Sequence, residues 1–301
     1  MRITHRAVTQ TALLGLNSNL SAVNKLQQQL TSGKQISAPS DSPTGTNEAL
    51  QIRQDRSATA QQAANISDGQ SWLDATDSAL TSMIGQVQKI RSLTVTGLNA
   101  GTMSSTARQA VSAEVAGLRE ALLGLANSTV NGRPLFGGAT TGSTAYDTAT
   151  GDYVGVGGAN GIPVVENVRR VSNADVVRVD VTGPEAFGAP GAGDLFSVVA
   201  DIAADVVSDP GSLAADLGAL DVALERLLGA TATIGGRAAR MEAAADVNAD
   251  LQLTLSSQLA GVEDIDIAKT IMDLNQQQVG YQAALQATAQ VIQPTLVDFL
   301  R

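Results

Sequence analysis

From Leu213 to Val262 a single apolar register runs unbroken. Leu213, Leu217, Leu220, Leu224, Leu227, Thr231, Ile234, Ala238, Met241, Ala245, Asn248, Gln252, Leu255, Leu259 and Val262 alternate by three and four. Only a helix of 3.6 residues per turn returns such positions to one face, so this spacing predicts one long helix with one apolar stripe. The helix cannot cover that stripe by itself. It requires other long helices alongside, and the rest of the chain supplies them.

Between Thr44 and Leu98 there is no proline, and Leu73, Thr76, Leu80, Met83, Val87, Ile90 and Thr94 repeat the same alternation. A continuous helix there would be about 80 Å long. Ser42 suits its N-cap, with Pro43 at the first helical position, where a missing N–H costs nothing. Asn99-Ala100-Gly101 predicts a break. A third seam, Val111, Val115, Leu118, Leu122 and Leu125, is expected to close near Asn131-Gly132 and to form an antiparallel pair with the second helix.

The two ends carry further seams. Leu13, Leu16, Leu20, Val23 and Leu30, with Gln27 in one polar place, stop at Ser32-Gly33, and Lys34 to Ser42 reads as an ordered loop. At the other end the long register would next fall on Asp266, but it resumes one residue later at Ile267, Ile271, Leu274, Gln278, Tyr281, Leu285, Thr288, Ile292, Thr295 and Phe299. A one-residue skip turns a seam by about 100°, more than a coiled coil absorbs smoothly, so a joint is expected at Gly261 to Asp266. It corresponds to the loop at 32–42, as if the chain folds back on itself. Between Phe136 and Gly193 helical spacing disappears, Gly and Thr rise, and five of the eight aromatics (Phe136, Tyr146, Tyr153, Phe187, Phe196) fall in or just beyond the stretch. Val177 to Val181 alternates as a half-buried strand should, and Ile162 to Val168 is a second candidate.

The expected fold is therefore mainly α: a folded-back, long helical coiled-coil rod with a small β-rich insertion domain at its tip. Residues 1–42 and 263–301 form the two halves of a terminal coiled coil, 43–135 and 193–262 the halves of the rod, and 136–192 the insertion. A two-helix end with one narrow stripe buries too little surface to be stable alone in water, so it invites partner helices. The residues expected to meet them are Leu13, Leu16, Leu20, Val23 and Leu30 with Ile267, Ile271, Leu274, Tyr281, Leu285, Ile292 and Phe299.

Composition removes most chemistry. With no Cys and one His, disulfides, thiolate nucleophiles and His- or Cys-based metal clusters are absent. A net charge of −10 disfavours nucleic acid as a partner. The most apolar stretch, Leu195 to Val207, is interrupted by Asp201 and Asp205, so no membrane insertion is expected, and the polar opening residues do not make a signal peptide. His5 sits beside Arg2 and Arg6 in a polar segment and reads as solvated. Gly155 to Asn160 lacks the third glycine of a dinucleotide fingerprint, and Gly137 to Ser143 lacks the lysine of a P-loop, so both read as loops and no cofactor is expected. Glu263, Asp264 and Asp266 lack cation-loop spacing and are expected to cap the last helix. Asn127-Ser128-Thr129 fits a glycosylation pattern but reads more simply as a helix-end turn. No nucleophile, base and orienting group with recognisable spacing lies in 136–192, which argues against an enzyme.

Leu30-Thr31-Ser32-Gly33-Lys34-Gln35-Ile36 followed by Pro39-Ser40-Asp41-Ser42-Pro43 resembles the N-terminal signature of the flagellin superfamily, in the proline-flanked form of its hook-associated members; flagellins usually carry an alanine-rich version. Met1-Arg2-Ile3-Thr4, Leu125 to Ser128, Gly132 to Gly138 and the terminal stretches Leu285 to Ala287 and Leu296 to Leu300 are similar too, although Pro134 stands where the family commonly has an aromatic. In this signature loop the matching residues are Ser32, Gly33, Pro39, Ser40, Asp41 and Pro43. The resemblance implies an extracellular structural protein of the flagellum, exported unfolded through the flagellar type III channel without a cleaved signal peptide. It implies a ring of copies at the hook–filament junction, between a preceding hook-associated junction protein and flagellin, with an export chaperone as a further partner. A filament subunit is the alternative, and an intracellular coiled-coil scaffold a distant one. Scarce aromatics and helix-rich local contacts suit a chain that travels unfolded and refolds quickly.

Overall fold

In a computed structural model the chain is described over residues 2–98, 103–157, 163–191 and 193–292, with side chains at 7 and 9–289 within those spans. The expected break at Asn99 to Gly101, the candidate strand residue Ile162, Gly158 to Asn160 of the glycine loop, and Thr295 with the terminal stretch Leu296 to Leu300, Phe299 included, lie outside the described residues, as do the side chains of His5 and Ile292. The element order is α1 (Arg2–Ser32), α2 (Pro43–Leu98), α3 (Ser105–Ala126), β1 (Thr129–Val130), β2 (Arg133–Pro134), β3 (Val168–Arg170), β4 (Val176–Arg178), α4 (Gly183–Phe187), α5 (Leu195–Ser208), α6 (Leu213–Glu263) and α7 (Ile267–Ile292). The fold is mainly α, with two small antiparallel sheets among the described residues. Two compact units share these elements: Met1–Ala58 with Leu251–Arg301, and Thr59–Asp250.

The Thr59–Asp250 unit is built as the long registers require. On α2, Leu73, Leu80, Met83, Val87 and Ile90 are wholly buried, and on α6 so are Leu213, Leu220, Leu227, Ile234 and Met241. Polar residues enter the seams only where their groups are satisfied. The hydroxyls of Thr76 and Thr94 donate back to the carbonyls of Trp72 and Ile90 at 2.8 and 2.9 Å, and Asn248 Nδ2 donates to the Thr59 carbonyl at 3.1 Å. Val115, Leu122 and Leu123 of α3 complete the same core.

Two local expectations shift. The third helix ends at Ala126, earlier than Asn131-Gly132, because those two residues form the turn of the β1–β2 hairpin with φ of 52° and 76°. Asn-Gly is the pair that a two-residue turn with both φ positive prefers, and its twist matches that of the flanking strands. The strand expected at Val177 to Val181 is β4, one residue earlier at its start and ending at Arg178. Its partner β3 begins at Val168, where the second candidate was expected to end. Before α6 lies a separate helix, α5: Asp194 caps it by accepting from Ser197 N at 3.1 Å, and Asp209-Pro210 follows its end. Ser112 of α3 donates to the Ala203 carbonyl and Arg119 Nε to that of Phe196 at 3.0 Å, so α3 and α5 run antiparallel.

The loops between β2 and α5 close over one aromatic cluster, made of the five aromatics the sequence concentrates there. Tyr146 packs on Phe196 with ring centroids 4.8 Å apart, Phe136 on Phe187 at 4.9 Å, and Tyr153 on Tyr146 at 5.3 Å. Tilted and edge-on rings suit the aromatic quadrupole. Burial pushes the Tyr153 hydroxyl up to about 12. Asn127, the C-cap of α3, clamps this cluster: its Oδ1 accepts from the backbone N–H groups of Ala145 and Tyr146, both at 2.8 Å, and its Nδ2 donates to the Tyr146 carbonyl at 2.9 Å. Arginines tie the loops down elsewhere. Arg169 meets Asp68 of α2 at 2.7 Å, and Arg237 of α6 donates to the Asp180 carbonyl at 2.6 Å.

Candidate assembly surface at the terminal helices

The terminal unit begins with α1, which stops where expected. Gly33 follows Ser32 with φ of 72° and donates to the Gln29 carbonyl at 2.8 Å, the left-handed C-terminal turn that glycine adopts without steric cost. The loop that follows is organised by Asp41. Its Oδ2 accepts from Ser37 N, Ser37 Oγ and Ala38 N at 3.2, 3.0 and 3.0 Å, and its Oδ1 meets Lys25 Nζ at 2.9 Å. Lys25 and these donors hold the Asp41 carboxyl well below the usual carboxylate range. Pro39 and Ser40 lie in the turn thus closed. Ser42 caps α2 by accepting from Gly45 N at 3.1 Å, with Pro43 at the first helical position.

The α6–α7 joint lies directly against this loop. Gln35 N donates to the Glu263 carbonyl at 2.6 Å, Ile265 N to the Gly33 carbonyl at 3.1 Å, and Lys34 faces Asp264 in an antiparallel bridge. Asp266 caps α7 by accepting from Lys269 N at 3.1 Å. Glu263 does something other than the expected capping: its carboxylate meets Lys34 at 2.7 Å and Arg53 at 2.6 Å. Among the described residues no group of three or more acidic or histidine side chains is placed to hold a metal ion, and no helix is long and apolar enough to cross a membrane.

From the joint, α7 runs back along α1, with Gln277 Nε2 donating to Asn19 Oδ1 at 3.2 Å. The half-buried and buried positions define the seam between them: Ala12, Leu16, Asn19, Val23, Leu26 and Leu30 against Thr270, Leu274, Gln277, Tyr281, Ala284 and Thr288. This seam only partly coincides with the apolar series read from the sequence. Leu16, Val23, Leu30, Leu274 and Tyr281 lie in it, whereas Leu13, Leu20, Ile267, Ile271 and Leu285 are 53, 41, 61, 44 and 42% exposed. At 100° per residue these five stand roughly a quarter-turn from the seam, all in the same rotational sense. Because the two helices are antiparallel, both flanks fall on one side of the pair. The side chains thus form a single apolar row that the unit itself does not cover.

Comparison with known proteins adds to this geometry. The family model of the bacterial flagellin N-terminal helical region matches residues 3–141, and that of the C-terminal helical region matches residues 217–300. The chain belongs to the bacterial flagellin family. It is a structural component of the flagellum. Hook-associated protein 3 of Escherichia coli is 25% identical to it over 95% of this chain and 96% of its own. A flagellin of Bacillus subtilis is 25% identical over 97% of each. The crystal structure of flagellar hook-associated protein 3 from Legionella pneumophila, 15% identical, superposes with a TM-score of 0.60 over 71% of this chain and 98% of its own, and so shares the fold. Both family matches take in one of the terminal helices, and the stretch 142–216, with the loops of the aromatic cluster and α5, lies between them.

Proposed function

We propose that this flagellin-family chain is the adaptor at the hook–filament junction, acting by shape and by helix packing. The observation that carries the reading is the uncovered row Leu13, Leu20, Ile267, Ile271 and Leu285. A soluble helix pair that exposes large aliphatic side chains along one side is completed by other helices. In this reading, copies of the chain pack their terminal units side by side in a ring. The preceding hook-associated junction protein meets one face of the ring, and flagellin the other. Residues 136–192 lie outside that packing.

Similarity to Escherichia coli hook-associated protein 3 over nearly all of both chains supports a junction role. The equal identity to a Bacillus subtilis flagellin keeps the filament subunit as the second reading. The proline-flanked loop favours the junction: Pro43 opens α2, and Pro39 lies in the Asp41-held turn. Export through the flagellar type III channel fits a chain with no Cys to cross-link. An export chaperone would cover Tyr281 and Leu285 until assembly.

Immunogold labelling of isolated flagella with antibody against residues 136–192 tests the reading. A single cluster of gold where hook meets filament is the expected result. Gold along the filament would make the chain a flagellin, and label confined to the cytoplasm would leave an intracellular scaffold.

A further inference from the structure

The chain has five methionines, and their surroundings differ sharply. Met1 lies outside the described residues. Met83 and Met241 are wholly buried in the core of the closed unit, and Met103, just before α3, is half-buried. Met272 on α7 is 65% exposed. It stands roughly half a turn from the seam with α1, and Val279, seven residues on and 67% exposed, continues the same strip. Ala268 and Gln276, one turn to either side of Met272, are exposed as well, so the thioether is open to small molecules in water. This outward strip is distinct from the row of Leu13, Leu20, Ile267, Ile271 and Leu285, which lies a quarter-turn from the seam.

We propose that Met272 is an oxidation site, and that its sulfoxide closes the outward strip of α7 to packing by a neighbouring subunit. The oxidant is hydrogen peroxide. A lone pair on the Met272 Sδ attacks one peroxide oxygen, the S–O bond forms as the O–O bond breaks, and the sulfur gives up two electrons. The proton on the transferred oxygen passes to the departing hydroxide, so the products are a sulfoxide and water, and a sulfoxide reductase can reverse the change. The new oxygen is a strong hydrogen-bond acceptor. On the free chain it is solvated and costs α7 little, whereas pressed against aliphatic side chains without a donor it is unfavourable. Oxidation therefore spares the fold and acts when a neighbour packs onto α7. The site stands on the exposure of Met272; its effect on assembly rests on the reading of α7 as a packing helix.

Peptide mass spectrometry after timed exposure to hydrogen peroxide tests both parts. In the free, full-length chain, Met272 is expected to gain one oxygen atom about tenfold or more faster than Met83 and Met241. In isolated flagella the same gain at Met272 should be slower by about tenfold, because a neighbour covers it. Met272→Gln places a polar group of similar length there. It should lower the copies recovered in flagella by about tenfold, while Met272→Leu keeps wild-type recovery and both free variants keep wild-type circular dichroism. Equal oxidation rates at Met272, Met83 and Met241 in the free chain would overturn the site. Equal rates at Met272 in the free chain and in flagella, or full recovery of Met272→Gln, would overturn the effect on assembly. None of these readouts depends on whether immunogold marks the junction or the filament, so the junction reading fails or stands separately.

Discussion

The two units of the molecule use one spacing rule to opposite ends. In Thr59–Asp250 the three-four registers of α2 and α6 are joined by α3, α5 and the aromatic loops, and Leu73, Leu80, Met83, Leu220, Leu227 and Ile234 are wholly withdrawn from water. In the terminal unit, α1 and α7 have the same kind of register, yet Leu13, Leu14, Leu20, Ile267, Ile271, Met272, Val279 and Leu285 remain exposed. What separates them is the number of layers. A stripe is buried when a third and fourth element close over it, and it remains a surface when only one partner helix is present.

That contrast is open to direct attack. The largest effect should come from Phe187→Ala, which empties the middle of the aromatic cluster. It is expected to destabilise the closed unit by about 3–5 kcal/mol in chemical denaturation, with no comparable change in terminal-helix exchange. Leu285→Asp should reverse the pattern. It should leave the circular dichroism of the free chain within error of wild type and weaken assembly by about 100-fold, which corresponds to roughly 2.7 kcal/mol; a collapse of helicity in the free chain would count against a surface role. Asn127→Ala strands the N–H groups of Ala145 and Tyr146 and should cost about 1–3 kcal/mol in the closed unit. Smallest of all, Leu13→Ala should change free-chain stability by no more than about 0.5 kcal/mol, as a substitution at an exposed site does. A larger loss would mean that α1 already buries Leu13 before assembly.

The phase of a stripe was legible where several elements enclose it and stayed open where burial is shared with a flank. Every position of the α6 register from Leu213 to Val262 is buried or half-buried, because a stripe enclosed on all sides admits one phase. Ser32-Gly33, Ser42-Pro43 and the joint before Ile267 were legible for a different reason: caps and register skips are local chemistry. On α1 and α7 the phase was not legible. Apolar residues lie both in the seam and on its flank, so pattern alone cannot tell Leu13 from Ala12, or Ile271 from Thr270. The Asn131-Gly132 turn carried a hairpin signal that helical spacing up to Leu125 overrode. Glu263 was assigned to a cap because acids favour helix N-termini, whereas its partners Lys34 and Arg53 lie more than two hundred residues away and leave no mark on local spacing. The exposed side of the candidate surface followed only from the antiparallel pairing of α1 with α7, which places Leu13 and Leu20 beside Ile267, Ile271 and Leu285.

The chain has one tryptophan, Trp72, and it is buried on α2 with the Arg133 guanidinium 5.9 Å from its ring centre. Its emission therefore reports on one unit alone. A denaturation followed by tryptophan fluorescence traces the opening of the aromatic-capped core, while the far-ultraviolet dichroism of the same sample sums every helix. Wherever the terminal pair melts first, the two curves will separate, and the gap between their midpoints measures how independently the assembling end of the molecule behaves.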